Sequence, residues 1–140
     1  MARDTFHDAV RRALEKEGWQ VTDDPLRLIY KGANLEIDLG AERVIAAQRN
    51  GERIAVEVKT FAVSRSALNE FHSALGQYIN YRRALKSLQP DRKLFLAVPQ
   101  DAFETFFQLP FTQEAIIADQ VLLIVYEPNT EVILTWNSSN

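Results

Sequence analysis

The 140-residue chain contains no cysteine, which excludes a disulfide framework and any thiolate metal site. No apolar run approaches the eighteen residues of a membrane span, so no contact with a membrane is expected. The opening Met-Ala-Arg-Asp lacks an apolar signal core, and the expectation is a soluble, cytoplasmic protein. An excess of positive charge is missing too. A formal charge of -3 and an isoelectric point near 5.4 argue against binding nucleic acid by bulk electrostatics, so any contact with DNA must be local. Arginines do group, as Arg11-Arg12, Arg82-Arg83 and Arg92-Lys93. Such pairs are common on solvated helix faces, and a phosphate-binding role for them depends on a nuclease site being present. Internal repeats, linkers and low-complexity segments are absent as well. What remains is one domain, residues 1–140, with enough chain to bury a core without staples.

The stretch that organises the rest is Gly51-Glu52-Arg53-Ile54-Ala55-Val56-Glu57-Val58-Lys59-Thr60-Phe61. Alternation in an extended strand sends Ile54, Val56 and Val58 to one face and Ala55, Glu57 and Lys59 to the other. An acid and a lysine on an otherwise apolar, covered strand cost several kcal/mol unless compensated. A divalent ion on Glu57, with Lys59 beside it for an anionic reacting group, is one compensation. An internal ion pair is the other, and it predicts that joint replacement of the two residues by apolar ones is tolerated.

Before this strand, Phe6, Ala9, Val10, Ala13 and Leu14 form one stripe of a helix over about 5–17, closed by Gly18. His7 and Asp8 fall in its first turn, where helix-end electrostatics is the ordinary role. Trp19-Gln20-Val21 and Leu26 to Tyr30 read as extended, separated by Asp23-Asp24-Pro25. Leu35 to Leu39 alternates with Glu36 and Asp38 on its polar side, and Gly40 invites a bulge or bend. A two-residue Asn50-Gly51 hairpin would make partners sum to 101, setting Arg49 opposite Glu52, Val44 opposite Glu57 and Glu42 opposite Lys59. Glu42 is then a near neighbour of the motif. Asp38, four residues beyond it, can share a metal with Glu57 only if Gly40 bends the chain back, so the choice of second acid stays open between Asp38 and Glu42.

After it, Ser64 or Ser66 caps a long helix with the stripe Leu68, Phe71, Leu75, Tyr78, Arg82 and Leu85. Gln77 and Tyr81 share a face one turn apart, at the boundary of that stripe. Lys93 to Val98 is a buried strand parallel to an earlier one. Asp101-Ala102-Phe103-Glu104 suggests a capping box on a short helix ended by Pro110. Thr112 to Ala118 suggests another helix. Gln120 to Tyr126 and Glu131 to Trp136 suggest two strands about the turn Glu127-Pro128-Asn129-Thr130, ahead of an unstructured tail from Asn137.

The order of elements, with Asp38 or Glu42, then Glu57-Val58-Lys59, then Gln77 and Tyr81, resembles the PD-(D/E)XK nuclease superfamily over about residues 5–98. The resemblance implies an α/β, restriction-endonuclease-like fold: a mixed central sheet flanked by helices. It also implies a site binding Mg²⁺ or Mn²⁺ through Asp38 or Glu42, Glu57 and the Val58 carbonyl. Lys59 would position the attacking water, and Gln77 and Tyr81 match the Q-x-x-x-Y signature of RecB-like nucleases. Ile37 stands in place of the motif's proline. His7 or Asp8 stands where relatives of the Holliday-junction-resolvase kind place a glutamate, and His7 is a poor ligand for Mg²⁺.

More specifically, His7-Asp8-Ala9-Val10, Gly18-Trp19, Asp24-Pro25, Asp38-Leu39-Gly40-Ala41-Glu42, Ala55-Val56-Glu57-Val58-Lys59, Gly76-Gln77-Tyr78 and Leu96-Ala97-Val98-Pro99 together resemble the XisH family across essentially the whole chain. That family is named for controlling excision of the fdxN element, a DNA element removed by site-specific recombination, and its members commonly act beside a companion called XisI. The resemblance implies DNA and a XisI-like protein as partners. A small nuclease that cuts a duplex often works as a homodimer, although no interface signature is visible. Two functions follow: a metal-dependent endonuclease acting in DNA rearrangement, or an accessory protein that keeps the nuclease fold and binds DNA or the companion while a separate recombinase cuts.

Overall fold

The computed structural model describes residues 5–43, 51–62 and 66–137. Its elements are α1 (Thr5–Lys16), β1 (Gln20–Asp23), β2 (Leu26–Tyr30), β3 (Ala33–Ile37), β4 (Leu39–Arg43), β5 (Glu52–Val58), α2 (Ala67–Leu88), β6 (Arg92–Pro99), α3 (Gln100–Glu104), α4 (Pro110–Ala118), β7 (Leu123–Glu127) and β8 (Val132–Asn137). Six strands form one sheet in the order β1-β4-β5-β6-β7-β8, and β2 and β3 form a separate hairpin. The β5-β6 and β6-β7 pairs are parallel, while β1-β4, β4-β5 and β7-β8 are antiparallel. The result is a mixed α/β fold with helices on both faces of a mixed central sheet.

Period-two alternation explains the layering. Ile54 and Val56, Phe95 and Ala97, and Ile124 and Tyr126 meet Val10 and Leu14 of α1 on one face. Ala55, Leu94, Leu96, Val98, Leu123 and Val125 meet Phe71, Ala74, Tyr78 and Leu85 of α2 on the other, with α4 and the β2-β3 hairpin completing that layer. Burying these apolar faces contributes roughly 25 cal/mol per Å² removed from water. The helix over about 5–17, the faces of β5, and a parallel strand after α2 agree with the sequence reading.

The hairpin register does not. Leu39 pairs with Val56, Ala41 with Ile54, Glu42 with Arg53 and Arg43 with Glu52, so partners sum to 95 and not to 101. Asn50, Arg49 and Val44 of the expected turn lie outside the described residues, as does Ser64. The expected strand Leu35 to Leu39 is also two pieces. It bends at Asp38, so that Ile37 serves the α2 layer while Leu39 serves the α1 layer. Gly40 sits at the irregular pairing of β1 with β4. A β-carbon there would come 3.0 Å from Asp23 Oδ2 and 3.1 Å from Arg92 Nη1, a close approach that favours glycine.

Ser66 caps α2, accepting from the Asn69 N–H at 3.2 Å. The capping box at Asp101 is absent: α3 starts at Gln100 after Pro99, with no side-chain cap. Pro110 opens α4 instead of closing the helix before it, because the first turn of a helix needs no N–H from its first residue. Asn137 ends β8 and so belongs to the sheet.

Candidate functional site

Asp38 occupies the bend between the hairpin and the main sheet, and the observed register carries it to the end of β5. Its Oδ2 accepts from the Val58 N–H at 2.8 Å, and its own N–H donates to Glu57 Oε1 at 3.2 Å. Asp38 and Glu57 are thus locked together by two hydrogen bonds across the β4-β5 junction. An extended residue turns its N–H and C=O toward the same neighbouring strand, so the Val58 carbonyl faces the side on which Asp38 lies. Lys59 Nζ stands 3.6 Å from Glu57 Oε2. Its backbone is pinned on both sides, with its N–H donating to Ala97 O at 2.9 Å and its carbonyl accepting from Tyr126 Oη at 3.0 Å. The three residues converge because a single strand end carries two of them and a chain bend delivers the third.

Glu57 is 6% exposed. Burial, and then the Asp38 charge, push its carboxyl up to about 7, against the smaller opposing effect of Lys59 and the Asp38 N–H. Two acids facing one ammonium leave surplus negative charge in a poorly hydrated place. Burial, and then the charges of Glu57, Asp38 and Glu36, push the Tyr81 phenol up to about 12, and its ring packs against the α2-side core. Gln77, one turn earlier on α2, has a buried Oε1 with no hydrogen-bond partner among the described residues.

Glu42 does not belong to this group. The register places it opposite Arg53, whose Nε lies 3.3 Å from its Oε2, with Arg92 Nη2 at 3.9 Å. Its charge is already met by two guanidinium groups, so the second acid beside Glu57 is Asp38. His7 is buried, and its Nε2 lies 2.8 Å from Asp24 Oδ1. Arg11 holds the other oxygen of Asp24 at 2.7 Å. Asp23 pairs with Gly40, so His7 and Asp24 lie toward the Asp38 end of β4, approached from the α1 layer.

One residue escaped the sequence reading. Glu70 lies seven positions before Gln77 and so on the same face of α2. Its Oε2 accepts from the Phe61 N–H at 2.9 Å, while its Oε1 is buried without a hydrogen-bond partner. It ties the segment after Lys59 to the helix that brings Gln77 and Tyr81. The seven-residue spacing was the available signal.

No group of three or more His, Cys, Asp or Glu able to hold a metal occurs among the described residues. The donors present are two carboxylates and the Val58 carbonyl. An all-oxygen set with excess negative charge fits a hard divalent cation.

The XisH protein family model matches residues 1–134. The chain belongs to the XisH family. Among solved structures, an XisH family protein from Nostoc punctiforme is 50% identical and superposes with a TM-score of 0.88, over 96% of this chain and 100% of that one. An fdxN element excision controlling factor protein from Anabaena variabilis is 51% identical, also with a TM-score of 0.88, over 97% of this chain and 100% of that one. No curated protein sequence matches the chain.

Proposed function

We propose that this XisH protein is a metal-dependent endonuclease of the PD-(D/E)XK kind, hydrolysing DNA phosphodiesters during excision of a DNA element. The observation that carries the reading is the convergence of Asp38, Glu57 and Lys59. The strand order supports it: β1, β4 and β5 run antiparallel, and β6, which follows the crossover helix α2, is parallel to β5. The family's namesake role, and the name of the Anabaena variabilis protein as an fdxN element excision controlling factor, point to DNA rearrangement as the setting.

Asp38, Glu57 and the Val58 carbonyl would hold one Mg²⁺ or Mn²⁺. When bound, such an ion polarises a phosphate and lowers the pKa of its water. Lys59, with its backbone fixed from both sides, orients a water or holds the reacting phosphate oxygen. Gln77 offers its free oxygen to the same group, and Tyr81 and Glu70 brace the helix that carries it. Glu57 must be ionised to serve, so activity rises as pH passes through about 7.

The test is Mn²⁺-dependent cleavage of duplex and single-stranded DNA by the wild type and by Lys59→Met. The variant is expected to fold and to lose at least a hundredfold in rate. A variant that cuts as well as the wild type would falsify the proposal.

A second reading is favoured by the acidic balance, a net charge of -3, and by the family's name as a controlling factor. It is an accessory protein that keeps this fold to bind DNA or a XisI-like partner, singly or as a homodimer. Calorimetric titration with Mn²⁺ separates the two. Binding that disappears in Glu57→Ala supports the nuclease, and no binding to the wild type supports the accessory role.

A further inference from the structure

A second concave surface lies at the other end of the sheet. Arg92, Lys93 and Leu94 begin β6, whereas the Asp38-Glu57 site lies level with Leu96 and Ala97, about 10–13 Å further along the strand. There the last turns of α2, the start of β6 and the segment from α4 to β7 enclose a cleft of about 1200 Å³. Arg82, Arg83, Lys86, Arg92 and Lys93 line it, and among the described residues no aspartate or glutamate does. In a chain of net charge -3, that is a local inversion of sign.

Arg92 is buried and lies 3.9 Å from Glu42 Oε2, but the other basic residues of this cleft differ in their bonding. Every described arginine elsewhere, namely Arg11, Arg12, Arg27, Arg43 and Arg53, is paired with a carboxylate. Arg82 instead donates to the Asp119 and Gln120 carbonyls at 2.6 and 3.1 Å and lies over the Tyr78 ring. Arg83 donates to Asn80 Oδ1 at 3.0 Å. Asp91, the nearest acid before β6, is held by Arg53. Lys86 and Lys93 are both exposed. Arg82, Arg83 and Lys86 follow one another within about a turn at the end of α2, where cations are favoured by the helix dipole.

We propose that this cleft binds the sugar-phosphate backbone of DNA, at a contact separate from the Asp38-Glu57-Lys59 site. The choice of DNA as the polyanion rests on the reading given under Proposed function; the charge pattern itself does not. Contact here gives local phosphate binding to an acidic protein, and it reads no base sequence.

The experiment is fluorescence anisotropy of a labelled 20-base-pair duplex in EDTA, across a salt series, with the intact protein. Lys86→Glu/Lys93→Glu is compared with the wild type and with Lys16→Glu, a charge reversal in α1 on the opposite face of the sheet, and circular dichroism checks the fold. The double variant is expected to bind at least tenfold more weakly and to show a shallower dependence on salt, by roughly one unit per lost phosphate contact. Lys16→Glu is expected to bind like the wild type. Unchanged binding in the double variant, or no duplex binding by the wild type, overturns the proposal. So does displacement of the duplex by a poly-glutamate peptide of equal charge, which would assign the cleft to an acidic protein segment. The two readings fail separately. Metal-dependent cleavage with an inert cleft leaves the nuclease standing, whereas cleft-dependent binding without cleavage leaves the cleft standing.

Discussion

Glu57 shows best what one residue does here. Its carboxyl sits at about 7 in the fold against an ordinary 4.5. Between those values the folded chain holds a proton that the unfolded chain has released, so stability is full below the lower value and falls as pH rises toward the upper one. In EDTA the loss amounts to roughly 3 kcal/mol at most. Glu57→Gln keeps an oxygen for the Asp38 N–H but cannot titrate. Urea midpoints at pH 5 and pH 7.5 should therefore differ less for the variant than for the wild type, and equal differences would remove Glu57 as the source. The side of the sheet on which this acid lies was legible from alternation alone. Its partner was not, since choosing between Asp38 and Glu42 depended on a register that a two-residue turn at Asn50-Gly51 misassigned by six in the partner sum. Asp38 became the partner because the chain bends there, and a bend at an Ile-Asp-Leu sequence has no composition signal.

At the scale of elements, α2 joins the site to the core. The stripe Phe71, Tyr78 and Leu85 was visible as helical periodicity and is buried as expected. The use of the Tyr78 hydroxyl was not visible, because both its partners are backbone groups distant in sequence. It donates to Leu94 O at 2.8 Å and accepts from the Leu122 N–H at 3.0 Å, linking α2 to β6 and to the start of β7. Tyr78→Phe leaves a carbonyl and an N–H without that partner, and a loss of about 1–3 kcal/mol follows. Chemical denaturation measures it, and a change below about 0.5 kcal/mol would mean that water replaces the hydroxyl freely. Helix boundaries governed by proline were the other element-level errors. Pro110 and Pro99 both precede or open helices, a role the sequence shares with helix termination.

For the whole molecule, the two apolar layers hold the sheet while its β4-β5 end is left with two acids and one lysine in partial burial. A fold that stores surplus negative charge in this way should gain stability from a cation that removes it. Mn²⁺ at a hundred times its Kd should add about 2.7 kcal/mol if it binds only the folded chain, seen as a rise in Tm that grows with concentration. Binding requires Glu57 to lose its proton, so the rise should be small near pH 5.5 and approach its full size above pH 7. Glu57→Gln and Asp38→Asn should each abolish most of it, whereas Glu42→Gln should not, because Glu42 answers to Arg53 and Arg92. This last contrast carries the weight of the register. If Glu42→Gln weakens the Mn²⁺ effect as much as Asp38→Asn does, the acid beside Glu57 has been misplaced. If Mn²⁺ leaves Tm unchanged at every pH, the surplus charge is met by protonation alone and the site holds no metal.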